Sequence, residues 1–392
     1  ILRKRRLFHM ENTELIIPAP SDPLKKHKSH FSKIGLFYFC GAIIISGVQI
    51  SVITLIQLIA PQLMVNPNIS LIISSLSMYL IAMPLLVIIV RTIPGMVIHK
   101  KKMTAGQWII AFFMCYALMY VTNVIGTFTT AIFGTLKGDL VDNPIQDILT
   151  GLSPLTAFFL MVICAPIVEE YVFRKLIIDR TVQYGQATAI LLSGLMFALF
   201  HGNFNQFVYA FTLGVFWGFI YVKTGRLIYT VALHMTVNFL GSIPGLLLMK
   251  STFFNQLSLL AENNPSAIVG LVMQHPVQFL LICFYMLLLF GLVITGIIFW
   301  AINFKKFKCA PGEITIPKGK RFSTIILNVG MILYCLFWII QIILRYSLKQ
   351  IYFQIKMQLY PHKRKLHFLI SHYSCSINHS ASSYQQIFIA VS

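Results

Sequence analysis

The chain has 392 residues, of which 57% are hydrophobic and 11% charged, with a mean hydropathy of +0.78. Soluble domains carry roughly 25% charged residues, so this composition excludes an ordinary soluble protein and makes the bilayer the solvent. The net charge is +20, but the basic residues lie in short runs between long apolar stretches, which is typical of membrane-protein loops and argues against a nucleic-acid partner.

Long apolar stretches follow one another along the chain. A membrane-spanning helix needs about 20 apolar residues, and about nine stretches reach or approach that length. We therefore predict an all-α, polytopic membrane helix bundle with about 8–9 transmembrane helices. The stretch at 187–202 is short, so it would tilt or stop part-way. The candidate spans are 34–60, 69–94, 107–135, 154–178, 187–202, 206–222, 227–249, 276–302 and 322–345.

Basic runs fall on alternate connections between these spans, as the positive-inside rule requires of cytoplasmic loops. The connection at 136–153, on the other side, carries acidic residues instead. The pattern predicts an integral membrane protein with a cytoplasmic N-terminus. The runs contain Lys25, Lys26, Lys28 and Lys33; Lys100, Lys101 and Lys102; Arg174, Lys175 and Arg180; Lys223 and Arg226; and Lys305, Lys306, Lys308, Lys318, Lys320 and Arg321.

The spans divide the chain into consecutive parts. Residues 1–33 are predicted to be a cytoplasmic N-terminal segment, 34–135 the N-terminal transmembrane helices and 276–345 the C-terminal ones. Residues 351–392 are rich in Ser, His, Tyr and Gln and contain no clear span, so we predict a disordered tail. The remaining part, 143–249, contains the buried ionisable residues and is predicted to hold the functional site.

An ionisable group inside a membrane span is costly and by default marks function. The chain has eleven acidic residues, of which only Glu169 and Glu170 lie deep in an apolar stretch. Of its eleven histidines, only His201 and His234 lie inside candidate spans. Asn238 follows His234 by one helical turn and shares its helix face.

The spacing of these residues suits a hydrolytic site. Arg174 follows Glu170 by four residues, so the two can pair on one helix face. Glu169 lies about 100° round the helix from Glu170 and is free to hold a water molecule. His234 and Asn238 offer hydrogen-bond donors one helical turn apart, and such a pair suits an oxyanion hole. His201 would share the water or bind a metal.

Each feature also has a purely structural interpretation. The two glutamates could simply pair with Arg174 and Lys175 at the membrane boundary. His234 and Asn238 could serve only as helix–helix hydrogen-bonding groups. The combined pattern favours function, because no other residues of this kind are buried in the predicted spans.

Three short motifs then resemble those of one family. Glu169–Arg174, which reads EEYVFR, is similar to the EExxxR motif of the CPBP family (CAAX proteases and bacteriocin-processing proteins, also called Abi). Phe197–His201 (FALFH) resembles its FxxxH motif, and His234–Asn238 (HMTVN) resembles its HxxxN motif. The motifs occur in the family's order and at family-like separations, and the resemblance covers roughly 150–245.

The resemblance implies an intramembrane endopeptidase, with 143–249 as its catalytic core and a helical cavity open toward the cytoplasm. Its substrate would be a membrane-associated peptide or protein, and its location the plasma membrane of a bacterium. By family analogy, Glu169 activates the attacking water with His201 as its partner, His234 and Asn238 stabilise the oxyanion, and Glu170 and Arg174 brace the site.

The resemblance leaves the cofactor and the activity open. The family has been described both as metalloproteases and as glutamate-type proteases, and the chain has no HExxH motif. If a metal such as zinc is used, its ligands would be His201, His234 and Glu169. A non-catalytic bacteriocin self-immunity or scaffold protein is one alternative. A proton-coupled transporter is another, against which the chain shows no evident inverted repeat.

Overall fold

Apolar stretches of this chain form helices because, in hydrocarbon, a helix pairs its backbone N–H and C=O groups within the segment. The computed structural model describes residues 23–137 and 151–359, and each regular element in these ranges is helical. Seven helices there are long and apolar enough to cross a membrane, or eight if a bent pair, Lys318–Ile325 and Val329–Leu344, counts as one span. The predicted class, a polytopic all-α membrane protein, is confirmed.

The principal helices are named in chain order. They are α1 Pro23–Ile59, α2 Pro67–Arg91, α3 Ala105–Lys137, α4 Pro154–Tyr184, α5 Gln186–Phe200, α6 Phe204–Thr224, α7 Leu227–Met249, α8 Thr252–Asn263, α9 Pro276–Asn303 and α10 Val329–Leu359.

The helix ends differ from the predicted boundaries at several places. Helix α1 begins at Pro23, so part of the predicted N-terminal segment is helical. Helix α10 continues to Leu359, so the predicted tail begins within a helix, and its remainder, 360–392, lies outside the described residues. The stretch predicted as the span 187–202 forms a helix of 15 residues, about 22 Å long, which is too short to cross a ~30 Å core.

Helix α4 is irregular where it carries the candidate site. It runs to Tyr184, beyond the predicted end at 178, and has wide π-helical turns at Phe158–Cys164 and Glu170–Leu176. Pro166 has no N–H for the Val162 carbonyl, which explains the departure from regular α-helical bonding on that side. Wide turns of this kind are frequently found at functional sites.

Helices α4 and α5 form a tight hairpin around Gly185, whose φ of 109° is favourable only for glycine. Gly185 lies sixteen residues after Glu169 and sixteen residues before His201. The two site residues are therefore about equally far along their helices from the turn. Helix α6 packs closely on α5, because Gly214 lies against Gly194: a Cβ added to Gly214 would be 3.1 Å from the Gly194 Cα.

An extended segment, 94–104, links the ends of the helices that carry the site, and we call it the strap. The Met96 N–H donates to the Asp179 carbonyl of α4 (2.6 Å), and the Lys101 N–H donates to the Thr224 carbonyl of α6 (2.8 Å). The Met103 N–H donates to the Tyr229 hydroxyl of α7 (3.1 Å). The strap thus holds three helix ends together at one end of the bundle.

The basic connections meet at this same end. The connection after α9 reaches the α4–α5 turn, where the Gln186 N–H donates to the Ala310 carbonyl (3.1 Å) and the Ile314 N–H to the Gln183 carbonyl (2.9 Å). The start of α1 is there too, since the His30 ring hydrogen-bonds the Arg180 carbonyl (2.8 Å). We call this the basic end of the bundle.

Candidate active site

Glu170 and Arg174 form the ion pair that their spacing predicts. Glu170 Oε1 lies 3.1 Å from Arg174 Nη2, and both side chains are 0% exposed. The guanidinium carbon of Arg174 also lies 4.2 Å from the centre of the Phe197 ring on α5. A buried charge needs such partners, because an uncompensated charge inside a protein costs several kcal/mol.

His234 lies between the two glutamates. Its Nδ1 is 3.1 Å from Glu170 Oε1, and because an ionised carboxylate only accepts, Nδ1–H is the donor. Its Nε2 lies 3.7 Å from Glu169 Oε2, and both residues are 3% exposed. This second distance is too long for a direct hydrogen bond but allows one water molecule to bond to both groups.

His201 lies at the end of α5 and is oriented by its own helix. Its Nδ1 donates to the Phe197 carbonyl (2.9 Å), which leaves Nε2 as the acceptor nitrogen. The Phe197 ring has its centre 4.6 Å from that of His201 and 5.9 Å from that of His234, so it contacts both histidines. His234 is thus the histidine found beside Glu169, whereas the predicted pairing of Glu169 with His201 stays a prediction.

Asn238 has a partner of its own. Its Nδ2 donates to the Met161 carbonyl of α4 (2.9 Å), while Nδ1 of His234 faces Glu170. These two donors, predicted to meet at one point, therefore have separate partners in this structure. The amide of Asn238 carries a second Nδ2–H, so it can keep its bond to the Met161 carbonyl and still donate to another acceptor.

The conditional zinc ligands are not assembled into a metal site. In the ranges 23–137 and 151–359, no three His, Cys, Asp or Glu side chains come together in a group that could hold a metal ion. Nδ1 of His201 faces the Phe197 carbonyl, and Nδ1 of His234 faces Glu170. These bonds leave Nε2 of each histidine available for a metal. The described side chains of Glu169, His201 and His234 nevertheless form no three-ligand group, so the proposed mechanism uses no zinc.

Two features of the site were missed from the sequence. Asn203 caps α6 by accepting the Gln206 N–H (2.8 Å), and its amide donates to the His201 carbonyl (2.9 Å), which fixes the turn beside His201. Its place just before an apolar helix was a usable signal, because asparagine is a preferred N-cap. Trp217, which stacks on His234 with ring centres 4.3 Å apart, was the second.

The fold and this buried site define a polytopic helical membrane protein with a carboxylate–histidine centre. Residues 151–240 match the family described as Type II CAAX prenyl endopeptidase Rce1-like. The chain is also 37% identical over 94 residues to the membrane-embedded CAAX protease MroQ of Staphylococcus aureus (strain USA300). Over this segment the chain is therefore similar to CAAX-type membrane proteases.

The similarity is local. The aligned part covers 22% of this chain and 37% of the length of the staphylococcal protein. No solved structure gives a significant match. All six predicted site residues, Glu169, Glu170, Arg174, His201, His234 and Asn238, lie within the matched segment 151–240.

Proposed function

We propose that this protein is an intramembrane endopeptidase that hydrolyses a peptide bond of a membrane-associated peptide or protein. The observation that carries the proposal is the 3.7 Å separation between Glu169 Oε2 and His234 Nε2, because a water molecule beside the pair would be within hydrogen-bonding distance of both. The family match and the name of the staphylococcal relative support the same class of reaction.

In this proposal Glu169 is the general base. It takes a proton from the bridging water as the oxygen attacks the substrate carbonyl carbon, and later passes the proton to the departing amine. His201 is its proposed partner, accepting a hydrogen bond from the water at Nε2. Proton transfer by a positioned side chain contributes roughly 10²–10⁴-fold to a rate.

The tetrahedral intermediate needs donors for its oxyanion. We propose that His234 and Asn238 supply them. His234 does so through a proton on Nε2 while its Nδ1–H stays with Glu170, and Asn238 through the Nδ2–H that does not bond to the Met161 carbonyl. Glu170 braces His234 by accepting its Nδ1–H, and Arg174 neutralises Glu170. We propose further that the basic end faces the cytoplasm of a bacterium, and that substrate reaches the site from that side.

The test compares purified wild type with Glu169→Gln and His201→Ala on a panel of membrane-anchored peptides. Glu262→Gln and His99→Ala, which change exposed residues of the same types, are the matched controls. We expect cleavage by wild type and both controls, and loss of cleavage in folded Glu169→Gln and His201→Ala. Phenanthroline and its non-chelating isomer, compared in the same assay, separate metal from glutamate chemistry.

Two other results would redirect the interpretation. If no peptide is cut, and Glu169→Gln still confers the bacteriocin resistance of the wild type in cells, the protein is an immunity or scaffold protein. If Glu169→Gln instead abolishes a proton flux measured in liposomes while no peptide is cut, the buried groups serve transport.

A further inference from the structure

Trp217 contacts the site from α6 but belongs to none of the three motifs. Its indole ring stacks on the face of His234, with ring centres 4.3 Å apart and planes inclined by 26°. The Arg174 guanidinium carbon lies 5.6 Å from the centre of the Trp217 ring. Trp217 is 1% exposed, so a substrate has no open surface of this residue to contact.

The indole is itself held by a residue of another helix. Its Nε1–H points at Cys115 Sγ on α3 at 3.2 Å, and Cys115 is fully buried. An indole N–H at membrane depth requires a partner, and the thiol sulfur is a weak acceptor. Helix α3 lies outside the matched segment 151–240, so this contact connects the N-terminal helices to the site.

The stack determines how the His234 ring can turn. Each nitrogen of the ring faces a different carboxylate, and rotation about the Cβ–Cγ bond would move both nitrogens from their partners. Trp217 covers one face of the ring, and Phe197 meets it edge-on, with planes at 85°. Rings packed in this way are confined to a narrow range of orientations.

We infer that Trp217, held by Cys115, is a positioning residue that keeps His234 oriented between Glu169 and Glu170. The reaction consequence rests on the proposed peptidase function, whereas the orientation of the ring does not. Residues that orient catalytic groups typically cost 10–100-fold in activity when replaced, as for the outer partners of metal ligands.

Graded substitutions separate the stack from its anchor. Trp217→Leu removes both, and we expect kcat to fall about 10–100-fold with KM changed less than about 3-fold. Trp217→Phe keeps a ring but loses the N–H, whereas Cys115→Ala keeps the indole but loses its acceptor. In each of these variants kcat should fall about 3–10-fold, less than in Trp217→Leu. An effect mainly on KM would mean that Trp217 contacts substrate, which overturns the inference.

Trp300→Phe is the matched control. Trp300 also donates its indole N–H to α3, at the Met114 carbonyl (3.0 Å), and also stacks on an aromatic ring, Phe307. It contacts no residue of the proposed site in these interactions. Because Trp300 is only partly buried, Trp300→Phe should cost less stability than Trp217→Phe, and it should leave kcat near wild type.

A second readout needs no activity. In protein labelled with ¹⁵N-histidine, the ring signals of His234 are assigned by their absence in His234→Gln. We expect Trp217→Leu and Cys115→Ala to shift or broaden these signals, and Trp300→Phe to leave them in place. Unchanged His234 signals in folded Trp217→Leu overturn the inference. If the wild type cuts no peptide but Trp217→Leu still shifts the His234 signals, the inference stands and only the proposed function is rejected.

Discussion

Glu170 Oε1 and His234 Nδ1 lie 3.1 Å apart, although 64 residues separate them in the chain. The same oxygen lies 3.1 Å from Arg174 Nη2. Glu170 therefore joins the basic partner on its own helix to the imidazole on α7. Because the three groups are almost fully inaccessible, each depends on the other two for compensation of its polarity.

Removing one member of this group should be costly. Arg174→Met leaves Glu170 as a buried carboxylate without its cation, and we expect a loss of about 3–5 kcal/mol in the free energy of unfolding. The double variant Arg174→Met with Glu170→Gln removes both charges and should be more stable than Arg174→Met alone. Thermal or denaturant unfolding in detergent measures both.

Lys175→Met provides the comparison on the same helix. Lys175 pairs with Asp179 at 2.9 Å, but its side chain is 45% exposed, so solvent screens the pair. We expect this substitution to lower the free energy of unfolding by at most about 1 kcal/mol. A loss for Arg174→Met as small as that for Lys175→Met would contradict the assignment of the Glu170–Arg174 pair as the buried brace.

The strap should be sensitive at Gly225. This residue has φ 59°, and an added Cβ would lie 2.7 Å from the His99 carbonyl oxygen and 2.9 Å from that of Ile98. Gly225→Ala should lower the free energy of unfolding by about 1–3 kcal/mol. It should also displace the strap from the helix ends. Trypsin should then cut faster at the strap lysines, Lys100, Lys101 and Lys102.

Gly106→Ala is the control for this experiment, because a Cβ there meets nothing within 4 Å. It lies just after the strap, in the first turn of α3, where alanine suits a helix better than glycine. Its tryptic pattern should equal that of wild type. Equal tryptic rates in Gly225→Ala and Gly106→Ala would show that the strap does not need the close approach at Gly225.

Close packing of α5 on α6 should be needed for activity. A Cβ on Gly194 would lie 2.8 Å from Val215 Cγ2 and 3.1 Å from the Val215 nitrogen, so α5 and α6 must separate slightly. Gly194→Ala should cost about 1–3 kcal/mol in stability. Because His201 lies at the end of α5, a shift of this helix should also displace His201. The rate of peptide cleavage should therefore fall even under conditions in which the variant remains fully folded. Gly47→Ala, where a Cβ has open space, should lower neither quantity.

The orientation of the protein is testable at Cys309. This cysteine is exposed on the connection that packs against the α4–α5 turn at the basic end. If the basic end is cytoplasmic, a membrane-impermeant maleimide should label Cys309 only after the cells are permeabilised. The experiment uses a variant in which the other six of the seven cysteines are replaced.

Asn264→Cys is the matched position at the other end. Asn264 is exposed on the connection between the end of α7 and the start of α9, and the opposite ends of these two helices lie at the basic end. In the same cysteine-depleted background without Cys309, it should be labelled in intact cells. Labelling of Cys309 rather than Asn264→Cys in intact cells would reverse the proposed orientation.

The sequence by itself determined the class of the fold and the identity of the candidate site residues. Apolar stretches of about 20 residues become helices in a bilayer, because a helix pairs the backbone N–H and C=O groups within the segment itself. Glu169, Glu170, His201 and His234 were identifiable because an ionisable group in such a stretch is expensive and therefore rare. The spacing of Glu170 and Arg174 also predicted their pairing, since both lie on one helix.

Only the tertiary structure decided which of these groups meet. The partners of His234 depend on how α4, α6 and α7 are rotated against one another, and hydropathy along a single helix carries no such information. Wide turns in α4 and the short length of α5 set the positions of Glu170 and His201. The Cys115–Trp217 contact joins residues 102 positions apart in the chain. A buried indole N–H needs an acceptor, but only the packing of α3 against α6 shows that this acceptor is Cys115.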